Sequence, residues 1–249
     1  MSDFNRGYPR AASAAVGDMS IDAGLRGFML GVYNKVALGL VLSAALAFAA
    51  AYVGPVHDAL FRSIDGQVTG FTTLGTIVMW SPLALILLSS FAMNNPTPAS
   101  SAILYWVFVS LMGLSLGVIV LIYSDVSLAS TFLITAAAFG GLSLLGYTTK
   151  KDLTGFGSFL IMGLIGVIIA MVVNMFLHSG PLAFILNLVG LFIFSGLVAY
   201  KTQMLKMTYY QLGGNQAAMG VATNIGALSL YITFLNLFLT ILRLMGGRR

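Results

Sequence analysis

Seven apolar stretches, each about as long as a bilayer is thick, account for most of this 249-residue chain. They cover residues 28–53, 71–93, 101–123, 128–147, 155–177, 181–200 and 223–245. A helix that crosses a membrane needs about 20 mostly apolar residues. None of the seven alternates polar and apolar residues with a period of two, and hydrocarbon offers the backbone no hydrogen-bond partners, so each run is expected to be a helix. The expected fold class is an all-α membrane protein with seven transmembrane helices. Charge points the same way. Only 8% of residues are charged and 59% are hydrophobic, whereas a soluble domain carries roughly 25% charged residues. A surface so poor in charge requires lipid as its solvent.

Turn chemistry separates the runs. Gly54-Pro55, Asn94-Asn95-Pro96, Ser124-Asp125, Lys150-Lys151-Asp152 and Ser179-Gly180-Pro181 fall between them, where breakers belong. Two connections read as long loops, 54–70 and 201–222. The organisation expected is a polar tail over 1–27, one transmembrane domain over 28–245 and a short tail over 246–249. The first 27 residues are polar and do not resemble a signal peptide, whose basic stretch runs directly into a short apolar one.

Seven crossings put the two ends on opposite sides. Arg6, Arg10, Arg26, Lys35, Lys150, Lys151, Lys201 and Lys206 fall on the N-terminal side; Arg62, Arg243, Arg248 and Arg249 fall on the other. Basic residues collect on the cytoplasmic face. The N-terminus is therefore expected in the cytoplasm of a cell with the chain in its inner (plasma) membrane, and the C-terminus on the far side. The net charge of +5 belongs to this asymmetry. No basic patch interleaves with aromatics, so nucleic acid is not an expected partner.

The chemistry-bearing residues exclude several classes. All seven acids are aspartates, Asp3, Asp18, Asp22, Asp58, Asp65, Asp125 and Asp152, and each falls in a tail or connection. Proton relays and cation sites usually rest on intramembrane acids. His57 and His178 lie in connections, and two histidines without further ligands make no zinc site. There is no HExxH, GxSxG or Gly-rich phosphate loop. Neither an enzyme, a metal nor a cofactor is expected.

The last helix carries the most informative pattern. Gly226, Ser229, Thr233, Asn236, Thr240 and Arg243 recur at intervals of three and four, which places them on one face. Such a stripe serves either hydrogen bonding between helices or the lining of a hydrophilic cavity, with Asn174 and Asn187 as candidate partners. Lys201, at the end of the sixth run, is expected to snorkel to the membrane surface, the alternative being an ammonium turned into the bundle; Lys35 is read in the same way. Gly113, Gly117, Gly140, Gly141 and Gly146 are candidate points of close helix approach, and Pro82 is expected to kink the second helix.

Four segments, in order, resemble the Bax inhibitor family, the transmembrane BAX inhibitor motif proteins, and in particular its bacterial YccA-like branch. They are Asp22-Ala-Gly-Leu-Arg26 with Val32-Tyr-Asn-Lys-Val36, the run 147–153, Ala199-Tyr-Lys-Thr-Gln203, and the run 226–238. The resemblance implies six helices around a central seventh. It implies a channel-like membrane protein associated with pH-sensitive calcium leak and stress protection, and, for the bacterial branch, with modulation of a membrane-anchored AAA protease. Family members typically carry aspartates where this chain has Lys201 and Thr233. Two close carboxylates share a proton and titrate as a pair, which a lysine and a threonine cannot do. The resemblance therefore implies a member with altered or absent calcium leak, or alternatively a non-conducting interaction protein.

Reporter fusions at the two ends are expected to report the cytoplasm for the N-terminus and the opposite compartment for the C-terminus. Both ends on one side would mean an even number of crossings.

Overall fold

The computed structural model describes residues 23–64, 67–92 and 95–247. Most of the tail over 1–22, Asp65, the end of the second run at Met93 and the pair Arg248-Arg249 lie outside the described residues. The described chain forms α1 (Ala23–Tyr52), α2 (Gly54–Leu60), β1 (Phe61–Ile64), β2 (Gln67–Phe71), α3 (Thr73–Ala92), α4 (Pro98–Ser115), α5 (Gly117–Ile122), α6 (Asp125–Thr148), α7 (Thr154–Leu177), α8 (Gly180–Gln211) and α9 (Gln216–Met245). Six spans are long and apolar enough to cross a membrane: α1, α4 with α5, α6, α7, α8 and α9. In α3 the apolar run is shorter, Thr73–Ser89, at the lower end of what can span. It supplies the seventh crossing.

The helix starts follow from side chains that accept orphan backbone N–H groups. Thr97 and Ser100 form a capping box at α4. Ser124 caps α6 through Ser127 N, Ser179 caps α8 through Leu182 N, and Asn215 caps α9 through Ala218 N. Pro82 removes one donor from the interior of α3. The carbonyl it abandons, on Val78, instead accepts from Ser81 Oγ at 2.7 Å and from Ser115 Oγ of α4 at 2.9 Å. The helix runs on through the proline because two hydroxyls replace the missing N–H.

Both connections expected to be long loops are largely structured. Strands β1 and β2 pair antiparallel with Phe61 opposite Phe71, their ring centroids 5.6 Å apart. Residues 201–222 are almost entirely helix: α8 continues to Gln211, α9 begins at Gln216, and the turn between them uses Gly213 and Gly214 at positive φ. Hydropathy marks only the part of a helix that lies in hydrocarbon, and α8 outgrows it. At 32 residues it is about 48 Å long, against a hydrocarbon thickness of about 30 Å. Its polar end is held by Gln203, which bonds both Leu153 N and Lys151 O at 2.8 Å, and by Lys206, which donates to Tyr147 O at 3.0 Å. At the other terminus α1 begins at Ala23, five residues ahead of the expected start.

The last helix is the axis of the bundle. α9 packs against α1, α4, α6 and α8, while α3 leans chiefly on α4 and α7 on α8. Leu230, Tyr231 and Leu237 of α9 are completely buried. By contrast Phe159, Met162 and Phe176 of α7 lie exposed, as a lipid-facing helix requires. Close approach depends on particular glycines. A Cβ at Gly113 would lie 2.8 Å from Ser43 Cα of α1, and one at Gly146 would collide with the carbonyl of Ala199 on α8. Gly140 and Gly141 do not share this role, since a Cβ on either meets nothing within 4 Å.

Gly146→Val is expected to lower stability by about 1–3 kcal/mol, because the obstacle is backbone that cannot rotate away. Gly141→Ala is expected to be neutral or to gain up to about 1 kcal/mol through helix propensity. Thermal unfolding of the purified protein in detergent separates the two.

Candidate functional site

Four residues of the segment 199–203 of α8 each meet a different neighbour, because a helix turns each side chain by about 100° from the last. Ala199 is packed against Gly146 of α6. Lys201 turns toward α9. Thr202, fully buried, lies 3.3 Å from the Tyr33 hydroxyl of α1. Gln203 fastens the α6–α7 turn.

Lys201 Nζ donates to Thr233 Oγ1 at 2.8 Å and lies 3.3 Å from Ser229 O. Thr233, only 2% exposed, donates its own hydroxyl to Ser229 O at 2.8 Å. Thr233 therefore sits between the lysine and its own helix, its proton committed to the backbone and its lone pairs to the ammonium. Contrary to the snorkelling expected of it, Lys201 takes the inward course, because Thr233 Oγ1 and Ser229 O offer its ammonium acceptors within the bundle. The only ion pair among the described residues is His57–Asp58, outside this site. Asp58 is in α2, Asp125 opens α6, and Asp152 is in the α6–α7 turn, where bonds from Thr154 hold its carboxyl below the usual range.

The stripe of α9 is only partly an interhelical device. Thr240 is buried, Ser229 and Asn236 are half-buried, and Arg243 is exposed. Asn236 Nδ2 donates to Ile232 O and Thr240 Oγ1 to Asn236 O, both within α9. Such bonds spare a hydroxyl or amide the need for a partner on another helix. Among the described residues, Lys201 is the one side chain that hydrogen-bonds to the stripe from another helix. Asn174 and Asn187 bond Ser179 N and Ala183 O instead. Both nevertheless line, with Tyr123 and Arg243, a polar cavity of about 540 Å³ at the far end of α9. The Asn187 Oδ1 is buried and has no partner.

A second polar network ties α1, α4 and α9. Lys35 Nζ donates to Asn224 Oδ1, and Asn224 Nδ2 is shared between Pro98 O at 3.0 Å and Ser101 Oγ at 2.9 Å. Tyr105 donates to Lys35 O at 2.5 Å. Ser43 donates to Val109 O at 3.0 Å and lies 2.5 Å from the Tyr231 hydroxyl. Sequence reasoning passed over Asn224 and Tyr231. Their spacing of seven residues, which puts them on one face of α9, was the available signal.

A helical bundle of seven crossings with a buried seventh helix as its axis, and a lysine and threonine bonded where the last two helices cross, defines a polytopic membrane protein. Comparison with known proteins makes the class specific. Residues 25–249 match the family model described as "Inhibitor of apoptosis-promoting Bax1", and the chain belongs to that Bax inhibitor family. It is 59% identical over 249 residues to a protein of Caulobacter vibrioides, covering 100% of both chains. It is 40% identical over 242 residues to protein RP147 of Rickettsia prowazekii, covering 97% of this chain and 98% of the other. It is 38% identical over 228 residues to the inner membrane protein YbhL of Escherichia coli strain K12, covering 91% and 94%.

The two lysine contacts are expected to respond oppositely to substitution. Asn224→Leu strands the Lys35 ammonium and is expected to cost about 1–3 kcal/mol. Lys201→Met leaves the Thr233–Ser229 bond intact and removes a charge that no acid offsets, so stability is expected to hold or rise. Unfolding midpoints in detergent read both.

Proposed function

We propose that this protein is a channel-like member of its family in which the Lys201–Thr233 pair stands at the ion-path position and suppresses the pH-sensitive calcium leak. The observation that carries the reading is the ammonium of Lys201 turned onto Thr233 Oγ1 at 2.8 Å. A cation passing an ammonium at about 4 Å meets repulsion of about 4 kcal/mol per unit charge at an effective dielectric near 20. The polar cavity lined by Asn174, Asn187 and Arg243 supports the reading from the opposite end. In this reading it is a vestibule on α9, and the buried Leu237 and Ile193 close the path beyond it. In this reading the face bearing Lys35, Lys201 and Lys206 is cytoplasmic, the chain lies in the inner membrane, and the tail over 1–27 belongs to the cytoplasm.

Calcium flux in liposomes tests the proposal. The parent protein is expected to show little flux at acidic or neutral pH. Thr233→Asp alone should pair Lys201 with the new carboxylate and stay closed. Lys201→Asp together with Thr233→Asp should create two close carboxylates, one with a raised pKa, and with them pH-dependent cation permeability. A well-folded double variant as tight and as pH-insensitive as the parent would overturn the reading. A non-conducting protein that acts through a membrane partner, such as a protease, would then be the account to pursue by cross-linking in native membranes.

A further inference from the structure

α1 and α6 both pack on α9 and hardly touch one another. The cleft between them holds two cavities. One, of about 520 Å³, is lined by Arg26 and Tyr33 of α1 and by Phe139, Gly140, Ser143 and Tyr147 of α6. The other, of about 400 Å³, lies farther along the same two helices over Phe132 and Phe234 and is almost wholly apolar. Leu30 and Leu144, on the rims, are exposed, so the cleft opens sideways, toward hydrocarbon.

Three features of the first cavity point to an occupant. Ser143 is only 5% exposed and its hydroxyl has no partner. A serine inside a helix can bond the carbonyl four residues back, as Thr135 does to Thr131 O at 2.7 Å, and Ser143 does not. Gly140 leaves open space where a Cβ would meet nothing within 4 Å. Arg26, exposed at the mouth, has no ion-pair partner among the described residues. The charge along the cleft is also directional. Arg26 marks one end, and Asp125, approached by the Tyr52 hydroxyl at 3.5 Å, marks the other.

We propose that the α1–α6 cleft is a binding site for one anionic phospholipid. Its phosphate sits at Arg26, an ester oxygen accepts from the Ser143 hydroxyl, and one acyl chain lies over Gly140 and Phe139 toward Phe132. An arginine at the membrane edge selects a phosphate by charge-assisted hydrogen bonding. The apolar lining and the sideways opening favour a molecule that is already dissolved in the bilayer. The inference stands independently of the conduction reading, since it involves neither Lys201 nor Thr233.

Native mass spectrometry of the intact protein from mixed micelles tests it. The probes are phosphatidylglycerol and phosphatidylcholine with the same acyl chains. The parent is expected to retain one phosphatidylglycerol in preference to phosphatidylcholine. Arg26→Gln, at an exposed position that does not threaten folding, should lower that preference about tenfold. Gly140→Leu should fill the cleft and abolish retention of either lipid. Gly166→Leu, equally free of neighbours but on α7, should leave retention unchanged, and melting curves verify that all three variants are folded. Equal retention of the two lipids by the parent, or undiminished selectivity in Arg26→Gln, would mean ordinary annular lipid and overturn the proposal. So would retention that survives in a folded Gly140→Leu, or a single oleate competing as well as the phospholipid.

Discussion

Hydrocarbon does not hydrogen-bond, and the rest of this structure depends on that constraint. Every backbone group inside the membrane must find its partner within the protein. A chain with few polar side chains can use some of them where a backbone group would otherwise be stranded. The clearest case is Val78. Its carbonyl loses the N–H that Pro82 cannot supply and is met by hydroxyls from its own helix and from α4. The same economy explains why most polar residues of α9 bond their own helix. A hydroxyl bonded to the fourth carbonyl before it can be buried against any apolar neighbour, which lets α9 be enclosed on all sides.

Much of this was legible in the sequence because length and hydropathy carry the membrane signal directly. The seven runs correspond to what is observed, and so does the central place of the last helix, which came from the resemblance. Two kinds of feature were not legible. Segments that leave the membrane lose the hydropathy signal while keeping helical geometry, so the end of α8 past Lys201 looked like a loop. The hairpin at 61–71 was hidden by its brevity, although Asp65-Gly66 is a turn signal of the hairpin type. Glycine was ambiguous for a related reason. A small residue permits close approach without requiring it, and Gly146 and Gly140 differ only in what the fold brings opposite them.

The candidate site was half legible. The positions of Lys201 and Thr233 came from a resemblance, and their adjacency from the meeting of α8 and α9. The direction of the lysine had to come from the structure, because its stem is long enough to serve either course. The Lys35–Asn224–Ser101 network escaped notice because each member, taken alone, reads as an ordinary interfacial residue. Only the three-dimensional arrangement shows one amide joining α9 to α1 and α4.

The division of labour within 199–203 has a consequence for how such a fold can change. Ala199, Thr202 and Gln203 each hold a different neighbour, so altering any of them disturbs a helix contact or a turn. Lys201 reaches only Thr233 and a carbonyl that Thr233 already satisfies. The charge at that one position can therefore be reversed while the scaffold around it stays fixed. Evolution has here a socket into which acids or bases can be fitted without rebuilding the bundle, and the charge where the last two helices cross can drift independently of how the protein stands in the membrane.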